Sequence, residues 1–178
     1  MLINKLIRTM WTSLATGLAL SLILLTRADA DVSSPQTVTI TGTVVSNTCS
    51  FDDVAPTVVL DDIGTSEFTN ATVRKLKDVS VNITCGAGVT SVKIVPTGTE
   101  DGIDNTLFKN TGTSTGVGLR LQGSDGTIML PSGSSEVSVT PISGKGNYTF
   151  KAGYVATTPN TVTSGQFLSQ VTLNFNYN

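Results

Sequence analysis

The residues that could do chemistry are few. No histidine occurs among the 178 residues, so a serine or cysteine nucleophile would have no imidazole to act as its base. The acidic residues come nearest to a catalytic or metal-binding set. Asp52-Asp53 and Asp61-Asp62 are adjacent pairs, and on a strand the two members of such a pair point to opposite faces, which argues against a shared site. Glu100-Asp-Gly-Ile-Asp-Asn105 has carboxylates enough for calcium, but neither the ligand spacing nor the closing glutamate of a calcium loop, and reads as a turn. Gly112-Thr-Ser-Thr-Gly-Val-Gly118 lacks the Gly-Lys-Ser/Thr ending of a phosphate-binding loop. The expectation is a protein that is not an enzyme and carries no metal and no cofactor.

Cys49 and Cys85 are the only cysteines, and their state depends on the compartment. Lys5 and Arg8 precede a mostly apolar run from Trp11 to Leu25, and Ala28-Asp29-Ala30 is a small-x-small site. That order describes a secretory signal over residues 1–30. A membrane anchor is the competing reading, and the run falls short of the ~20 apolar residues a spanning helix needs. Export to an oxidising compartment predicts a Cys49–Cys85 disulfide. Free or metal-binding thiols are the alternative, although two cysteines without histidine are too few ligands for a closed zinc site. Losing Lys5, Arg8, Arg27 and Asp29 with the signal takes the formal charge from −2 to −4. Neither a basic stripe for nucleic acid nor a polybasic patch for anionic lipid remains. Asn70-Ala-Thr72, Asn82-Ile-Thr84 and Asn147-Tyr-Thr149 fit the glycosylation triplet, which chance produces often in so threonine-rich a chain.

The elements that would position anything are strands. Short β-branched or alternating runs recur at Thr43–Val45, Thr57–Leu60, Val79–Ile83, Ser91–Val95, Val117–Leu121, Thr127–Leu130, Glu136–Thr140 and Tyr148–Phe150. Gly, Asn, Asp, Ser and Pro clusters separate most of them. Ser66–Lys77 is the one place for a short helical turn. Many short strands at this spacing predict an all-β, immunoglobulin-like sandwich.

The final segment organises the rest. From Gly165, Phe167, Val171, Leu173, Phe175 and Tyr177 fall in period two, with only Ser169 interrupting the apolar row. A strand puts all of them on one face. A long apolar strand edge needs a partner on each side, supplied by an earlier strand or by another polypeptide. At the other end, Val38 and Ile40 alternate with threonines ahead of Gly42, after a loose Asp31-Val-Ser-Ser-Pro35. This segment reads equally as a detachable strand on a tether or as the first strand of its own domain.

Gly42-Thr-Val-Val-Ser-Asn-Thr-Cys49 resembles the Gly-x-Val-Val-x-x-x-Cys that follows the N-terminal extension of chaperone–usher pilins, the type 1 fimbrial subunits of Gram-negative bacteria. The penultimate Tyr177 and Gly165, fourteenth from the end, are similar to the family's C-terminal motif. Gly116–Leu121 and Tyr154–Gly165 are similar to internal family segments. The resemblance implies an incomplete immunoglobulin-like β-sandwich that lacks its C-terminal strand and is completed by a donor strand from a partner. It implies a signal peptide over 1–30, a donor-strand extension over 31–41 with Val38, Ile40 and Gly42 as donor residues, and a pilin domain over 42–178. The row Gly165, Phe167, Val171, Leu173, Phe175 and Tyr177 would bind first a periplasmic chaperone and then a neighbouring subunit. An outer-membrane usher would be the third partner, and the product a cell-surface fimbrium contributing to adhesion. A minor tip or adaptor subunit, or an adhesin touching a receptor itself, is the alternative role.

Overall fold

A computed structural model describes residues 39–44, 47–53 and 56–178. Residues 1–38, which hold the expected signal segment and Val38, lie outside them. The chain divides into two compact units, Met1–Gly42 and Thr43–Asn178, and every described strand belongs to the second. Its strands are β1 (Cys49–Phe51), β2 (Arg74–Cys85), β3 (Val92–Thr97), β4 (Val117–Gln122), β5 (Ile128–Met129), β6 (Val137–Val139), β7 (Lys145–Ala156) and β8 (Thr172–Tyr177).

They form two antiparallel sheets, one ordered β1-β2-β7-β4-β5 and the other β6-β3-β8. Alternation builds the core between them. Val81 and Ile83 of β2, Leu119 and Leu121 of β4, and Phe150 and Ala152 of β7 are buried from the larger sheet, while Val92 and Ile94 of β3 and Val139 of β6 are buried from the smaller. On the other face Ser80 pairs with Thr149 and Asn82 with Asn147 across β2 and β7, while Val155, further along that face of β7, is buried. Such alternation is what one buried sheet face requires.

Several elements differ from the sequence expectation, each for a tertiary reason. Tyr148–Phe150 grows into the twelve-residue β7 because that strand is central, paired with β2 on one side and β4 on the other. Thr57–Leu60 is not a strand. It runs across the end of the core, where Leu60 packs against both apolar clusters. The helical propensity of Ser66–Lys77 yields only a single 3-10 turn at Thr65–Glu67, closed by Gly64 N–H donating to the Glu67 carboxylate at 3.2 Å. From Arg74 the chain is strand, with a bulge between Arg74 and Lys77 that places Lys75 at φ 49°. The expected disulfide joins Cys49 to Cys85, which stand opposite each other in the β1–β2 register.

Candidate functional site: an open sheet edge

Four of the acidic groups that might have formed a catalytic or metal site, Asp52, Asp61, Asp101 and Asp104, serve turns and surface pairs. Asp101 accepts from the Ile103 and Asp104 amides, Asp104 accepts from the Thr106 amide and pairs with Arg120 at 3.5 Å, and Asp61 pairs with Lys77 at 3.6 Å. Asp52 accepts from the Thr84 hydroxyl at 2.6 Å. Burial pushes the Arg120 guanidinium below its ordinary value, against the pull of Asp104. Among the described residues no cluster of three His, Cys, Asp or Glu could hold a metal ion.

What stands out is β8. It pairs with β3 over Thr172–Tyr177 against Val92–Thr97, and among the described residues no strand pairs with its other side. The phase of its hydrogen bonding can be read at both ends. Asn178 N–H donates to the Ser91 carbonyl. Upstream, the Gln166 and Leu168 main chains bond inward to Thr113, Ser114, Asn110 and Thr111. Pro96, with no N–H to give, stands opposite Leu173. In an extended chain, main-chain groups alternate in direction. Even-numbered residues therefore bond to the sheet, and the main-chain groups of Phe167, Ser169, Val171, Leu173, Phe175 and Tyr177 face the open side.

The side chains of the same odd-numbered residues form an apolar row that is only partly covered. Phe167, Val171, Leu173 and Phe175 pack against the core yet remain half-buried, and Tyr177 is 42% exposed. Each intervening residue from Leu168 to Asn176 is exposed. Phe51 of β1 forms the opposite wall, its ring 3.5 Å from that of Phe175 at 31°. That contact places the edge strand of the larger sheet beside the edge strand of the smaller one. At the far end Phe167 meets the ring of buried Tyr154 at 4.9 Å, edge to face, and packs beside Leu60 and Phe68. The result is a groove open along one side, with apolar walls and a row of unpaired amides and carbonyls. Strand addition in general uses main-chain bonds for affinity and alternate side chains for fit, and this edge offers both kinds of group.

Gly165 is where this segment begins, and close approach explains it. A Cβ there would lie 2.6 Å from the Ser114 amide nitrogen and 2.8 Å from the Thr113 carbonyl carbon. Across from it, a Cβ on Gly112 would strike the Gln166 carbonyl. The two backbones touch where no side chain fits, so the Gly112–Gly118 stretch anchors the edge strand. Of the residues expected to act as donors, Val38 lies outside the described residues, while Ile40 and Gly42 belong to the first unit, where Ile40 is 90% exposed and Thr39–Val44 belongs to no strand. Phe51 and Leu60 were not recognised from sequence. For Phe51 a signal existed, because two positions after the buried disulfide a strand returns to the same face.

Fold and edge together define a class of protein: a two-sheet antiparallel β-sandwich whose last strand lies at a sheet edge. The fimbrial protein family model matches residues 38–178, and the chain belongs to that family. Among solved structures, the P pilus rod subunit PapA is similar with a TM-score of 0.64 at 19% identity, over 73% of this chain and 99% of that one. A chaperone-usher pilus bearing on the molecular basis of rod uncoiling is similar at 0.61 and 23%, over 82% and 97%. An antigen and type I fimbria protein of Burkholderia pseudomallei gives 0.57 and 21%, over 76% and 97%. These likenesses show the fold, the immunoglobulin-like sandwich of pilus subunits. No curated protein matches the chain.

Proposed function

We propose that this fimbrial subunit is of the chaperone–usher class and polymerises by donor-strand exchange. Residues 1–30 direct export, residues 31–41 are the donor extension, and residues 42–178 form the pilin domain. A periplasmic chaperone fills the groove beside β8 first. At an outer-membrane usher the next subunit's extension replaces it, and the product is a surface fimbrium whose work is structural rather than catalytic. Val38 and Ile40 enter the neighbour as alternate-side-chain plugs, each stabilising the joint by roughly 1.5 to 3 kcal/mol if fully buried.

One observation carries the reading: the odd-numbered residues of 167–177 combine half-buried apolar side chains with main-chain groups directed at an unpaired edge. Left alone, such an edge templates aggregation. The described residues contain no helix long and apolar enough to cross a membrane, and the reading requires none.

Co-expression with a periplasmic chaperone and native mass measurement provides the test. A one-to-one complex is expected, and deletion of 31–41 should preserve that complex while abolishing fibres. A stable lone monomer, or normal polymerisation of the deletion, refutes the proposal.

A further inference from the structure

The open edge is held from behind in two different ways. Over Thr172–Tyr177 the support is a main-chain ladder with β3. That ladder ends at Thr97, where the chain turns away: Gly98 N–H donates to the Pro131 carbonyl at 3.0 Å, and a Cβ at Gly98 would lie 2.9 Å from the Gln170 carbonyl oxygen. Upstream, Gln166 and Leu168 belong to no strand and bond to the loop 110–114 instead. Both of their carbonyls accept from loop amides, Leu168 from Thr111 at 2.7 Å and Gln166 from Ser114 at 3.0 Å. Both of their amides donate to side chains, Leu168 to Asn110 Oδ1 at 2.9 Å and Gln166 to Thr113 Oγ1 at 2.8 Å. Two loop side chains thus supply the acceptors that a neighbouring strand would have offered.

Asn110 is the firmer of the two. It is half-buried where Thr113 is exposed, its Oδ1 also accepts from the Gly112 amide at 2.9 Å, and its Nδ2 donates to the Ser114 carbonyl at 2.7 Å. Two N–H donors at one end of the carboxamide and a carbonyl at the other fix which way round it sits. We infer that Asn110 is a positioning residue for strand addition: its carboxamide takes the place of a strand behind Leu168 and so turns the Phe167 and Ser169 main chains to the open side. The inference rests on the donor-strand reading above. In an extended chain, holding one residue's main chain inward commits both neighbours outward. Without that hold the upstream part of the edge keeps its apolar side chains but loses fixed main-chain partners, and main-chain bonds are what give strand addition its affinity.

The test is hydrogen exchange on fibres sheared from cells producing the full chain, read amide by amide after dissociation. The parent is compared with Asn110→Ala, Thr113→Val and Asn147→Ala, the last removing a carboxamide that donates to Asn82 at 2.6 Å on the outer face of the larger sheet. In parent fibres the odd-numbered amides of 167–177 should be protected. In Asn110→Ala, protection at Phe167 and Ser169 should fall about fivefold or more, as loss of at least one hydrogen bond predicts, with Leu173, Phe175 and Tyr177 unchanged. Thr113→Val should lower Phe167 alone and by less, and Asn147→Ala should lower none. A fall spread evenly over 167–177, no fall, or the same pattern in Asn147→Ala overturns the assignment and leaves donor-strand exchange standing. If Asn110→Ala gives a chaperone complex but no fibres, the same amides are read in that complex, where the selective loss supports the inference and an even loss or none overturns it. An Asn110→Ala chain that yields no soluble chaperone complex assigns the carboxamide to the fold itself, which also overturns it. Parent fibres whose odd-numbered amides exchange freely refute the donor-strand reading, and this inference falls with it.

Discussion

On one lateral side of the sandwich the chain passes from β5, at the edge of the larger sheet, to β6, at the edge of the smaller. The intervening residues bridge the two sheets: Pro131 is buried, its carbonyl accepts from Gly98 N–H at 3.0 Å, and Leu130 N–H donates to the Ser135 hydroxyl at 2.7 Å. On the opposite side β1 and β8 meet through the Phe51 and Phe175 side chains, and the main-chain groups of the odd-numbered residues of β8 face outward, where among the described residues no strand pairs with them. Both sides present short edge strands and both flank the same core. They differ in that the first is crossed by the chain between β5 and β6, while among the described residues no strand pairs with the outer side of β8. A sandwich edge is protected when its own connection covers it, and an uncovered edge is a template for pairing with another chain.

That contrast can be broken experimentally, beginning on the open side. Phe175→Ala removes the contact with Phe51 and part of the groove wall. A loss of about 2 to 3 kcal/mol in fibre stability is expected, toward the lower end of buried Phe truncations because the ring is half-covered. It should appear as a lower denaturant midpoint for subunit dissociation, and an unchanged midpoint would mean that the wall carries no load. Ser135→Ala on the sealed side deletes one acceptor and should cost about 1 kcal/mol. The cost should be equal in chaperone-bound and polymerised subunits, because that side does not change partner. A difference between the two states, measured by thermal unfolding, would show that the sealed side also adjusts during assembly.

The smallest expected effect sharpens the upstream end of the groove. Burial first, then the nearby Asp62 and Asp61 carboxylates, push the Tyr154 phenol above its ordinary value. A raised folded value means that the neutral phenol's contribution to stability is complete below about pH 10 and is lost as pH climbs through the folded value. Since Tyr154 supports Phe167, alkaline titration should loosen that end of the groove, and Tyr154→Phe should flatten part of the stability loss above pH 10. An alkaline limb identical in the variant would assign the loss to other groups.

Local pattern made half of this site legible. The alternation from Phe167 to Tyr177 needs only the two-residue period of a strand; the structure keeps the alternating burial from Phe167 to Phe175, including Ser169 on the inner face, but only Thr172–Tyr177 is strand and Tyr177 is exposed. Cys49 and Cys85 were legible as a pair because no other cysteine exists. Thr57–Leu60 had an equally good strand pattern and formed none, since no neighbouring strand offers it a ladder and Leu60 is used to cover the core instead. The opposite wall was hidden for a related reason. Phe51 and Phe175 are far apart in sequence, and only the docking of two sheets makes them neighbours.

By itself the amino-acid sequence determined which residues alternate, where glycine and proline stop a strand, and that two cysteines would pair, because each depends on nearest neighbours or on simple count. The tertiary structure alone decided which edge stays unpaired, which rings face each other across the gap, and which side chains stand in for a ladder upstream of β8. Those depend on how the two sheets stack, and stacking is set by the whole core at once rather than by any stretch of the chain.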